Sequence, residues 1–174
     1  FNVINPLLKR NRLPNLKHLI ENGVSGYLYS VENLYSPTAW TSLVTGCKAN
    51  KHGIFDICYP DVEKKKYIGL TSSDRQVPAI WNYLNSIGKR VGIVNVPMTY
   101  PAEEVNGIMI SGLSGQYKWD KQAMYPSKLY SWLKDNFPSY KQGIYEEIPL
   151  RKHNIERLAK KWLEVEKIRT NVAC

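Results

Sequence analysis

The stretch Val91-Gly92-Ile93-Val94-Asn95-Val96 most limits what this chain can fold into. It is short, almost wholly apolar, and lacks the alternation of a strand with one wet face. Such a run reads as a strand buried on both sides, as parallel strands covered by helices are. Ile108-Met109-Ile110-Ser111 reads as another. Upstream, Ser73 is expected to cap a helix with Pro78 in its first turn. That helix carries Ile80, Trp81 and Leu84 on one face, runs to about Ile87 and is stopped by Gly88. Helix, strand, helix, strand in this order predicts an α/β class with a mainly parallel sheet. At 174 residues the chain suits one domain and can bury a core.

Residues 1–23 read as two short helices interrupted at Leu13-Pro14-Asn15, with Leu16, Leu19 and Ile20 as an amphipathic stripe and Gly23 as a stop. Residues 26–34 suggest a strand. Ser36-Pro37 opens the next helix, with Ser36 as N-cap and Pro37 in the first turn, where its missing N–H costs nothing. Trp40, Leu43 and Val44 are expected to point inward, and Thr45-Gly46 to end the helix. Lys64-Lys65-Lys66 marks an exposed turn. Pro126 leads a helix over about 127–136. From Arg151 a long basic helix sets Ile155, Leu158, Trp162 and Val165 in one stripe, a core or docking face.

The chain carries 24 Lys and Arg against 15 Asp and Glu, a net charge of +9, which favours anionic partners such as phosphate esters or nucleic acid. No apolar run approaches the ~18 residues of a membrane span. Cys47, Cys58 and Cys174 fit no metal or redox spacing and read as free thiols in a reducing compartment, so the cytoplasm is expected. His18, His52 and His153 form no ligand pair, and the acidic pairs Glu103-Glu104 and Glu146-Glu147 sit in loop-like, solvated contexts. Neither a phosphate-binding glycine loop nor a G-x-S-x-G elbow is present. One segment stands out: Ser36-Pro37-Thr38-Ala39-Trp40-Thr41-Ser42-Leu43-Val44-Thr45-Gly46, then His52-Gly53-Ile54. A hydroxyl at a helix N-terminus faces an anion site made by the amides and the dipole, although an ordinary helix start looks the same.

This segment resembles the nucleophile helix of the alkaline phosphatase superfamily. There a Thr, Ser or modified Cys stands nine residues before Thr-Gly, and His-Gly-Ile follows. Asn5-Pro6-Leu7-Leu8, Leu13-Pro14-Asn15-Leu16, Gly23-Val24-Ser25-Gly26, Gly88-Lys89-Arg90-Val91-Gly92 and Asn95-Val96-Pro97-Met98-Thr99-Tyr100-Pro101 are similar to one branch, the type I phosphodiesterase/nucleotide pyrophosphatase family in its microbial form. The similarity spans roughly residues 1–135.

The resemblance implies an alkaline-phosphatase-like three-layer α/β sandwich, incomplete here. Residues 1–174 would form its N-terminal portion, with about 120–174 as a cap or insertion. It implies hydrolysis of a small phosphate ester or phosphodiester, with Ser36 as catalytic nucleophile and, through its oxygen, as a metal ligand. Two divalent metal ions are implied, zinc or alternatively manganese. Their other ligands are expected upstream of Phe1 and downstream of Cys174, and His52 is expected to be a structural loop residue. The alternative reading of the charge is a non-catalytic module binding anions or nucleic acid. A family member that keeps the scaffold without metals is a third.

Overall fold

The computed structural model describes residues 2–116, 118–140 and 155–173. The expectations for Glu146, Glu147, Arg151, His153, Cys174 and the side chain of Ile155 lie outside what is described. The chain divides into two units, 1–30 and 31–174.

In the first unit, α1 (Ile4–Lys9) and α2 (Pro14–Asn22) are the two expected short helices, neither burying a residue. Pro14 starts α2 rather than merely interrupting, because a helix's first turn needs no N–H from it. The strand expected over 26–34 does not form. Tyr27, Leu28 and Tyr29 are 85–91% exposed and belong to no strand of the described sheets.

The second unit is built around a three-stranded sheet in the order β3 (Val91–Val94), β4 (Gly107–Ile110), β5 (Met124–Tyr125). β3 and β4 run parallel, with Ile93 opposite Met109 and Val94 opposite Ile110, and β5 pairs antiparallel with Met109 and Ile110. A separate antiparallel hairpin joins β1 (Cys58–Asp61) to β2 (Lys66–Gly69); Lys64 and Lys65 lie in its turn, while Lys66 begins β2 opposite Asp61. The α/β class therefore holds, but only one of the three described strand pairs is parallel.

Strand alternation sends the core to both sheet faces. Ile93 and Met109 meet Trp81 of α5 (Ile80–Ser86), Ala79 and Val105, with Val44 against them. Ile110 and Val94 meet Leu133 of α6 (Leu129–Asn136), Tyr100, Met124 and Tyr140. Ile168 and Val172 of α7 (Ile155–Ala173) pack on that second cluster. The docking stripe of α7 thus runs through Val165, Ile168 and Val172, while Trp162 stays 43% exposed. Residues expected as a cap or insertion contribute β5, α6 and α7 to this face.

Ser73 does not cap α5. Thr71 and Asp74 close a capping box on a 3-10 turn over Ser72–Asp74 instead. Pro78 lies before the helix, whose N-cap Ala79 donates its N–H to Asn82 Oδ1 at 2.7 Å. Glu103 is not merely solvated either. Its carboxylate takes two 2.9 Å bonds from the Arg75 guanidinium and one of 3.1 Å from Asn82 Nδ2. Cys47 and Cys58 are free thiols. Among the described residues no helix is long and apolar enough to cross a membrane.

Candidate functional site

Ser36 stands at the start of α3 (Ser36–Thr45) and is exposed. It occupies the first helical position rather than the cap. The cap is Tyr35, whose carbonyl accepts the Ala39 N–H at 2.9 Å, and no side chain caps this end. The first amides of a helix lack intrahelical acceptors, and Pro37 contributes none. Gly46 ends α3 in the left-handed region at φ 66°, returning its N–H to Ser42 O.

Of the three α3 side chains expected inward, Val44 packs on the core, but Trp40 and Leu43 do not, and two threonines go in instead. Thr38 and Thr41 are 1–2% exposed, whereas Trp40 is 41% and Leu43 65% exposed. Two threonines can go inside because each hydroxyl has a fixed acceptor, so neither suffers uncompensated desolvation. Thr41 Oγ1 donates to Pro37 O at 2.7 Å within the helix, and Thr38 Oγ1 donates to Phe55 O at 2.6 Å. Asn33 Nδ2 donates to the same Phe55 carbonyl at 2.7 Å and to Thr38 Oγ1 at 3.3 Å. These bonds tie the first turn of α3 to the chain on both of its flanks and fix the position of Ser36.

A second clamp holds the middle of the helix. His52 ends α4 (Ala49–His52) and is fully buried. Its Nδ1 accepts the Ile54 N–H at 3.1 Å, which assigns the proton of the neutral ring to Nε2. Nε2 then donates to Ser42 Oγ at 2.9 Å. Burial pushes His52 below its ordinary value, against an opposing backbone hydrogen bond, so the neutral ring is the favoured form. Gly53 follows at φ 79°, and a side chain there would meet Gln76. Ile54 is 1% exposed and continues into the core. Each residue of His-Gly-Ile thus serves the fold, His52 as a hydrogen-bonded clamp, Gly53 as a left-handed turn and Ile54 as a buried anchor.

This geometry limits the chemistry. Ser42 is six residues from Ser36, about 240° around the helix, so His52 serves a different face. With Nδ1 and Nε2 both engaged, His52 does not act as a base on Ser36. Among the described residues, no three His, Cys, Asp or Glu side chains converge as a metal site.

Sequence reading put Ser36 at the start of a helix and gave His52 a structural place, as the structure has them, but did not single out the hydrogen-bonding roles of Asn33, Thr38, Thr41 or Ser42. A signal was present: Thr38, Thr41, Ser42 and Thr45 fall at i, i+3, i+4 and i+7, a hydroxyl stripe at helical period.

A model of the type I phosphodiesterase / nucleotide pyrophosphatase family matches residues 3–170. No curated protein and no solved structure matches the chain. The chain belongs to the type I phosphodiesterase/nucleotide pyrophosphatase family, whose members are hydrolases of phosphate esters.

Proposed function

We propose that this member of the type I phosphodiesterase/nucleotide pyrophosphatase family hydrolyses a small phosphate ester or phosphodiester through Ser36 Oγ. The observation carrying this reading is an exposed hydroxyl on the first turn of a helix that is pinned at Thr38 and again at Ser42. A phosphoryl group meeting that helix start would find amide donors and the positive end of the dipole. In the first step an Oγ–P bond forms as the ester P–O bond breaks, the Oγ proton passes to solvent, and the leaving oxygen takes a proton from solvent. Water then attacks the phosphoserine, releasing phosphate or the monoester and returning the hydroxyl of Ser36.

Two divalent ions, zinc or manganese, are part of the proposal. Lowering the pKa of the Ser36 hydroxyl is what they would supply, with carboxylate and imidazole ligands from outside the described residues. The proposal also includes the fold of a three-layer sandwich with a mainly parallel sheet. In it the helix-covered sheet of β3, β4 and β5 would be one part.

The test is hydrolysis of bis(p-nitrophenyl) phosphate and p-nitrophenyl phosphate by the intact protein with added Zn²⁺ or Mn²⁺. Ser36→Ala should lower kcat/KM by about 10³-fold or more with an unchanged circular dichroism spectrum, since Ser36 is exposed. Acid quenching during turnover should trap phosphate on Ser36. Wild-type activity in Ser36→Ala would remove the serine from the mechanism.

A further inference from the structure

The sheet has a recess on the face carrying α6 and α7. Among the described residues β5 pairs with Met109 and Ile110, and none pairs with the beginning of β4 on that side. Ile108, Ile110, Pro126, Leu129, Trp132 and Val172 line a cavity of about 430 Å³, and Lys128 is in the lining with them. Ile108 is 41% and Trp132 48% exposed, so the apolar wall opens to water. The Trp132 ring is held in place by Phe137, 5.7 Å away at 53°. Lys128 is the one charged side chain in the lining, and no carboxylate pairs with it among the described residues. The neighbouring amides of Leu129 and Tyr130 already donate to Pro126 O and Ser127 O. An anion here would therefore be recognised by Lys128 rather than by the helix end. A second apolar recess, about 500 Å³ between the end of α3 and α5, is lined without any charged side chain.

We propose that the β4–α6–α7 recess binds an amphipathic monoanion, an aliphatic chain ending in a carboxylate. The chain lies against Ile108 and Trp132, and the carboxylate meets Lys128. The cavity is in the range of small-ligand pockets, roughly 300–1,000 Å³, which suits a chain of about ten carbons. Its apolar walls provide most of the affinity, at about 0.8 kcal/mol per buried methylene, and Lys128 provides the preference for an anion. The site lies on the sheet face opposite the cluster that Val44 of α3 joins, and it does not depend on the role of Ser36.

The experiment is displacement of anilinonaphthalene sulfonate from the intact protein by decanoate, decanol and decyltrimethylammonium. Decanoate should displace it saturably and about 3–10-fold more tightly than decanol, and the ammonium should be weakest. Lys128→Ala should bring decanoate level with decanol, and Lys128→Arg should restore the difference. Ile108→Glu, on the exposed wall, should abolish decanoate binding without changing the circular dichroism spectrum. Equal binding of decanoate and decanol would overturn the proposal. So would absence of saturable displacement, or decanoate binding indifferent to both Lys128→Ala and Ile108→Glu. Self-association abolished by Ile108→Glu, with no decanoate binding, would give the recess to a second copy of the chain and overturn it as well.

Discussion

Replacing His52 by alanine tests whether the clamp holds α3. Three losses follow from the structure. The buried Ile54 N–H loses its acceptor, worth about 1–3 kcal/mol. The bond to Ser42 Oγ goes, worth about 0.5–1.5 kcal/mol. A cavity replaces a fully buried ring, adding about 1–2 kcal/mol if the walls close only partly. Together they predict that His52→Ala loses about 3–6 kcal/mol in urea unfolding read by circular dichroism. His52→Asn can place its Oδ1 near the position of Nδ1, so it should recover the Ile54 term, about 1–3 kcal/mol. The pH dependence supplies an independent arm. The folded value of His52 is depressed, so the unfolded chain binds the proton more readily, and stability falls as pH drops from about 6.5 through the folded value. That slope between pH 7 and 5 should be reduced in His52→Asn. An unchanged unfolding midpoint in His52→Ala, or a His52→Asn no better than alanine with the wild-type slope, would refute the clamp.

Two further outcomes follow from the packing around this region. Burial pushes Glu103 up, but the Arg75 guanidinium and Asn82 outweigh it and hold the carboxyl below its ordinary value. Glu103→Gln should cost about 2 kcal/mol in urea unfolding, less than the ~3–5 kcal/mol of a fully buried pair because Glu103 is part-exposed. The wild type should lose this stability as pH falls from about 4.5 through the folded value, and the variant should not. Gly53→Ala should be destabilised by about 1–2 kcal/mol from its φ of 79° and further by its contact with Gln76. Adding Gln76→Ala should return the contact part only, and full recovery would show that the backbone conformation is unstrained.

The sequence by itself determined the parts governed by local chemistry. The non-alternating run at 91–94 had to be a covered strand, and the Ser36-Pro37 start and Gly46 end bounded α3 to within a residue. Blocks such as Leu13-Pro14-Asn15-Leu16 and Asn95-Val96-Pro97-Met98-Thr99-Tyr100-Pro101, added to the spacing of Ser36, Thr45-Gly46 and His52-Gly53-Ile54, pointed to the family that residues 3–170 match. Tertiary structure decided whatever depended on partners distant in the chain. Whether Thr38 or Trp40 faces inward was settled by the Phe55 carbonyl, which offers a buried hydroxyl its acceptor, and apolar periodicity carries no such information. Glu103 looked solvated until Arg75 and Asn82, 28 and 21 residues away, closed on it. Residues 26–34 have strand-like composition, but a strand exists only where another offers its edge, and none does so here among the described residues.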